Sequence, residues 1–193
     1  MLLCGTTSPI AMEEVETFPT WLHIDLSRHQ AKVDKMFSVL HSSYPQLSPT
    51  PYPHISLSPT HLLSFTQAQA FASSLLPRLS SLPSFRVLLQ TDPGSFRLLT
   101  SPKTGLVYGV LVLGTGQEEV RAVLGRADEV AQGFGLETYL PTGTPHMSLG
   151  VSEGKGQLAA DMDNWPVKSL SVTVTSLTLS IGKKTHSFPL TPL

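Results

Sequence analysis

Residues 53–60 read PHISLSPT, and residues 145–151 read PHMSLGV. The string Pro-His-x-Ser-Leu therefore occurs twice, with His54 and His146 92 residues apart. The chain holds seven His, 23 Ser and 30 Leu among 193 residues. That composition places two His-x-Ser-Leu tetrads in one chain by chance roughly once in a hundred. The string is too short for a structural module, so the repeat reads as two copies of one chemical part.

Both copies read as strands. Alternate side chains of a strand project from one face. His54 and Ser56 therefore point together, as do His146 and Ser148, while Ile55, Leu57, Met147 and Leu149 point into the core beneath. If the two strands lie side by side, two imidazoles and two hydroxyls converge in one cleft. An imidazole titrates near 6.5 and exists in either form at neutral pH, so one can take a proton while the other gives one. Such a pair can take the proton from a ribose 2′-hydroxyl and protonate the departing 5′-oxygen, leaving a 2′,3′-cyclic phosphate. The serine hydroxyls can donate to the non-bridging oxygens. No metal is expected: HxxxH, CxxC and Asp-rich pairings are missing, and a zinc site would leave the serines without a role. A lone histidine in an apolar strand is usually a packed residue. His23, His29, His41, His61 and His186 are read in that way.

Working outward from the tetrads, the spacing predicts strands over 21–26, 54–58, 85–90, 95–100, 106–114 and 146–151, with a closing hairpin within 168–190 turned by GKK. Helices are predicted over 28–41, over 66–80 with Thr66 as cap and Pro77 ending or kinking it, and over 117–134. The four prolines of 42–53 mark a loop, and 85–114 read as an antiparallel meander through DPG and SPKTG turns. Residues 1–18 look like a loose lead-in. The order gives an α+β fold with mostly antiparallel sheets and two lobes in one domain spanning 1–193.

A formal net charge of −1 argues against wrapping duplex DNA but leaves room for gripping a short single-stranded end. One cysteine, Cys4, excludes an internal disulfide and a Cys-rich zinc site. No apolar run approaches 18 residues, and the start lacks the basic stretch of a secretory signal, so a soluble intracellular protein is expected.

The paired His-x-Ser-Leu strands resemble the 2H phosphoesterase superfamily. WLHIDL, HISLSPT, FRVLLQTD, LVYGVLVL, GFGLETYLPTGTPHMSLG and IGKKTHSFPL follow one another as in its U6 snRNA phosphodiesterase branch, over about residues 20–190. That resemblance implies a two-lobed, pseudo-symmetric fold with flanking helices and a central cleft. It implies a nuclear 3′–5′ RNA exonuclease, monomeric and cofactor-free, that trims the oligouridine tail of U6 small nuclear RNA to a cyclic phosphate or 3′-phosphate. His54 and His146 would be the acid–base pair, and Ser56 and Ser148 would hold the phosphate. Tyr139 is the candidate to stack on the terminal base, although an ungapped comparison puts Leu140 at that place. The alternatives are a 2H cyclic phosphodiesterase on small nucleotides, a 2′-5′ RNA ligase-like enzyme, and a module that binds RNA ends without cutting them.

Overall fold

The computed structural model describes residues 16–91, 93–140, 143–153 and 169–192. Among these the chain forms eleven strands and three α-helices. Their order is β1 (Thr17–Asp25), α1 (Gln30–Ser43), β2 (Ser48–Pro49), β3 (His54–Ser56), β4 (His61–Ser64), α2 (Phe65–Leu79), β5 (Phe85–Leu89), β6 (Phe96–Thr100), β7 (Val107–Thr115), α3 (Gln117–Gly133), β8 (His146–Ser152), β9 (Leu170–Val174), β10 (Ser176–Ile181) and β11 (Lys184–Pro189). The strand order is β11-β10-β1-β3-β8-β7-β5-β9, with β2 added to β8, β4 to β1 and β6 to β7. Its pairings are antiparallel, so the expected α+β architecture is the one observed.

One side of the sheet carries the core. In β1, Leu22 and Ile24 are buried while Trp21, His23 and Asp25 take the opposite face. Helix α1 packs on β8, and α2 packs against α3, β1 and β4. The predicted face of α3, formed by Val120, Leu124, Ala127, Val130 and Ala131, is buried throughout. Gly135, at φ +67°, ends that helix as its left-handed cap.

The sheet is curled, and one connection makes this plain. Strands β9 and β10 lie toward opposite ends of the strand order, yet Thr175 alone joins them. The two ends must therefore approach each other. Backbone bonds hold them there: Leu190 N–H donates to the Thr175 carbonyl, and Ser84 N–H to that of Thr191.

Six expectations change. Within the expected loop 42–53, Ser48–Pro49 form β2 on β8. Residues 61–64 form β4 on β1, which places His61 in a strand instead of a loop. The cap of α2 is Ser64, not Thr66: its hydroxyl accepts from Gln67 N–H and the Gln67 side chain accepts in return from Ser64 N–H. Pro77 does not stop α2, which continues to Leu79; burial of Leu75 and Leu79 offsets the lost hydrogen bond. The meander is replaced by β5 and β6 following one another along the same edge of β7, because Pro93–Ser95 is a 3-10 turn that carries the chain forward. Of the lead-in, residues 1–15, Cys4 included, lie outside the described residues, and β1 already begins at Thr17.

Two glycines test this packing with opposite signs. Gly116 sits at φ +86° before α3, where an added Cβ would lie 2.4 Å from the Arg86 carbonyl. Gly116→Ala is expected to destabilise by about 2–4 kcal/mol. Gly125, within α3, has open space around a Cβ. Gly125→Ala is expected to stabilise by about 0.5–1 kcal/mol, since alanine loses less backbone freedom in a helix. Urea unfolding of both variants checks the pair.

Candidate active site

Strands β3 and β8 are neighbours, and Ile55 stands opposite Met147. In an antiparallel pair that register sets His54 opposite Ser148 and Ser56 opposite His146, all four on one face. Ile55 and Met147 are fully buried on the other face, while the two histidines and two serines are half-buried. The two tetrads are thus related by an approximate two-fold through the Ile55–Met147 pair. Each imidazole faces the hydroxyl of the other tetrad.

The prolines of the repeat have a use that sequence reading did not identify. His54 Nδ1 lies 3.0 Å from the Tyr52 carbonyl, and His146 Nδ1 lies 2.6 Å from the Thr144 carbonyl. A carbonyl only accepts, so both rings carry their proton on Nδ1 when neutral and leave Nε2 with its lone pair. In each case the carbonyl belongs to the residue before proline, which is held extended. Pro53 and Pro145 thereby aim the two acceptors. The hydroxyls of Ser56 and Ser148 are engaged by no other described residue and are available to a ligand.

Burial lowers the pKa of His146, an effect partly opposed by its bond to Thr144; the charge of a protonated His54 lowers it further. The field therefore disfavours two protonated rings at once and favours one acid with one base. Beside them sits a third imidazole. His23 is opposite Ser56 across β1 and β3, and its ring centroid is 5.6 Å from that of His54. Burial above all, then the His54 charge, pushes it down to about 4, against the opposing pull of Asp25 and the Trp21 carbonyl. His23 is neutral at physiological pH. It adds an aromatic surface, stacked on Trp21 at 5.8 Å between centroids, and no competing cation.

Tyr139 lies on the His146 side. Its hydroxyl donates to the Thr144 carbonyl at 3.2 Å, the same oxygen that His146 Nδ1–H reaches. Burial pushes its pKa up to about 12, so the phenol remains a donor. The Tyr139 ring packs closely on Gly143, where a Cβ would lie 2.0 Å from it. Asp128, buried on α3, accepts from the backbone N–H of both Tyr139 and Leu140 at 2.8 Å. One carboxylate thus fixes the approach to the second tetrad, and both register candidates, Tyr139 and Leu140, hang from it.

Sequence reading missed His23 and Asp128. WLHIDL placed Trp21, His23 and Asp25 on one face, but nothing local says that β1 lies beside β3. Asp128 had a legible signal: a carboxylate on the apolar stripe between Leu124 and Ala131. Among the described residues no three His, Cys, Asp or Glu side chains gather to hold a metal, and no helix is long and apolar enough to cross a membrane.

Comparisons with known proteins bear on the family and the fold. Residues 10–189 match the HVSL family, described as an uncharacterised conserved protein. No curated protein matches the sequence. Among solved structures, Kluyveromyces marxianus Usb1 superposes with a TM-score of 0.62 at 15% identity, covering 92% of this chain and 100% of that one. The same yeast protein with uridine monophosphate gives 0.57 at 14% identity, covering 89% and 98%. E. coli LigT complexed with 3′-AMP gives 0.58 at 18% identity, covering 91% and 96%. At such identities these matches speak for the fold, and the match over residues 10–189 speaks for the family. The chain belongs to the HVSL family, and its fold is the one seen in Usb1 and LigT.

Proposed function

We propose that this chain is a metal-independent 3′–5′ exoribonuclease that trims the oligouridine tail of U6 small nuclear RNA in the nucleus. One observation carries the reading: two Pro-His-x-Ser tetrads face each other across a single strand pair, each imidazole anchored through Nδ1 with Nε2 free. Both tetrads come from one chain, so the site needs no second copy. The fold likeness to Usb1, solved with uridine monophosphate, supports the substrate class.

The chemistry follows from the pair. One Nε2 takes the proton of the penultimate ribose 2′-hydroxyl, and O2′ attacks the adjacent phosphorus. The bond from phosphorus to the terminal O5′ breaks, and the second imidazolium protonates that oxygen. The shortened strand keeps a 2′,3′-cyclic phosphate, which water can open to a 3′-phosphate. Ser56 and Ser148 donate to the non-bridging oxygens as charge grows on them. Tyr139, beside His146, is the platform assigned to the terminal base.

A second reading, cleavage of small cyclic nucleotides, is favoured by the likeness to LigT, solved with 3′-AMP, and by the near-zero net charge. The sugar separates the two. An oligouridine with deoxyribose at its penultimate position lacks the nucleophile, so its last linkage should remain intact in the presence of EDTA. It should still compete with the all-ribose strand at similar affinity. Cutting of the deoxy strand, or a free 3′-hydroxyl on the product by mass, overturns the exonuclease mechanism. Turnover of cyclic nucleotides alone would favour the second reading.

His54→Ala and His146→Ala are each expected to lower turnover by about 10²–10⁴-fold with the fold retained. Ser56→Ala and Ser148→Ala should cost about 10–10³-fold, the loss of one transition-state hydrogen bond. Single-turnover rates at saturating strand give the ranking, and a serine variant below both histidine variants contradicts these roles.

Stability should depend on His23. Its folded pKa of about 4 lies below the ordinary 6.5. As pH falls through 6.5 the unfolded chain gains a proton that the folded chain refuses, so stability drops between about pH 6.5 and 4 and then levels. The drop is on the order of 3 kcal/mol. His23→Phe should flatten that part of the profile in urea titrations; an unchanged slope contradicts the assignment.

A further inference from the structure

A groove of about 940 Å³ opens beside His54 and runs away from His146. Its floor can be traced by register. Ser56 stands opposite His23, His23 opposite Thr178, and Thr178 opposite Ser187, so one row of side chains crosses β3, β1, β10 and β11. A parallel row sets Trp21 opposite Ser180 and Ser180 opposite Thr185. The reacting groups need only the β3–β8 end. Three strand spacings of about 4.8 Å extend the polar bed by roughly 14 Å beyond it.

We infer that this groove holds the retained, 5′ part of a single-stranded RNA, with its bases stacked along Trp21 and its backbone held by the hydroxyl rows and by Arg28 and Lys183. The inference rests on the exonuclease reading and adds where the uncut strand lies. Trp21 already stacks on His23, and the outward side of Tyr52, 61% exposed, stands next to the catalytic His54. Flat aromatic faces without hydrogen-bonding demands suit bases of any sequence. Of the charged groups lining the groove, Arg28 and Lys183 form no ion pair among the described residues. Among the described residues the one acid there, Asp25, is occupied by the backbone N–H and hydroxyl of Ser27. A hydroxyl-rich bed with two unpaired cations matches a sugar–phosphate backbone. A lone nucleotide at the tetrads would leave most of it empty.

The test uses oligouridines of two, four and six residues, each with deoxyribose at the penultimate position so that none is cut. Affinity should rise at least tenfold from two to six residues. Trp21→Ala should remove about 5–150-fold from the six-residue affinity, the worth of one stacked base, and far less from the dinucleotide. Trp21→Phe should restore most of the gain. Lys183→Ala should reduce the slope of log affinity against log salt by about 0.7, the value for one phosphate on a single strand. If Trp21→Ala does not fold, Tyr52→Ala and Lys183→Ala carry the same comparison from exposed positions. A 4-thiouridine four residues from the 3′ end should crosslink to β1 or to the β10–β11 hairpin. Length-independent affinity, or crosslinks confined to other surfaces, overturns the inference. Length-dependent binding without cleavage of the all-ribose strand leaves the groove standing and defeats the nuclease reading alone.

Discussion

The pairing of Ile55 with Met147 is the contact on which the rest of the site depends. These two apolar side chains are buried under the sheet, and they have no chemistry of their own. Their register decides that each histidine faces the other tetrad's serine. A slip of one residue would turn His54 and Ser56 into the core and leave Ile55 facing the cleft, since side chains alternate with a period of two. The site is therefore held by hydrophobic burial on the reverse face. The cleft itself contributes half-buried polar groups, and the hydroxyls of Ser56 and Ser148 have no partner among the described residues.

Anchoring is the second theme. Two carbonyls, each ahead of a proline, take the Nδ1 proton and leave Nε2 for the reaction. The arrangement uses no charged residue. Burial first, and then the charge of a protonated His54, lower the pKa of His146, without a carboxylate between the two rings. His23 is the extreme case, kept neutral by burial and by its charged neighbour. On the far side, Asp128 ties the segment before β8 to α3, and Tyr139 ties itself to the carbonyl that orients His146. The second tetrad is thus positioned from a helix, and the first from the β1 side of the sheet.

The curl of the sheet joins these parts into one cleft. With only Thr175 between β9 and β10, the sheet's two ends are brought together, and Val172–Thr175 come to line the groove beside His54. The polar rows on β10 and β11 then continue the floor set by β1. Separately, the 3-10 turn at Pro93–Ser95 sets β5 and β6 along one edge of β7, where an open meander would have paired them with each other.

What the sequence determined by itself is what has a local period. Alternation within HIS and HMS placed each histidine with its serine, the 3.6-residue spacing found α3 to within a residue, and the doubled Pro-His-x-Ser-Leu string announced two equivalent parts. The Ser64–Gln67 box was also written in the chain, but the more central Thr66 hid it. Tertiary structure decided everything that required two distant segments to meet. It put β3 beside β8 and β1 beside β3, so that a histidine dismissed as packing became the floor of the site. It turned 61–64 into a strand, because β1 offered those residues unpaired backbone, and it carried α2 past Pro77, because Leu79 had a core to enter. Strand pairing is nonlocal: its energy comes from hydrogen bonds and burial shared between segments 92 residues apart for Ile55 and Met147 and 157 for Leu22 and Leu179, and no window of sequence contains both partners.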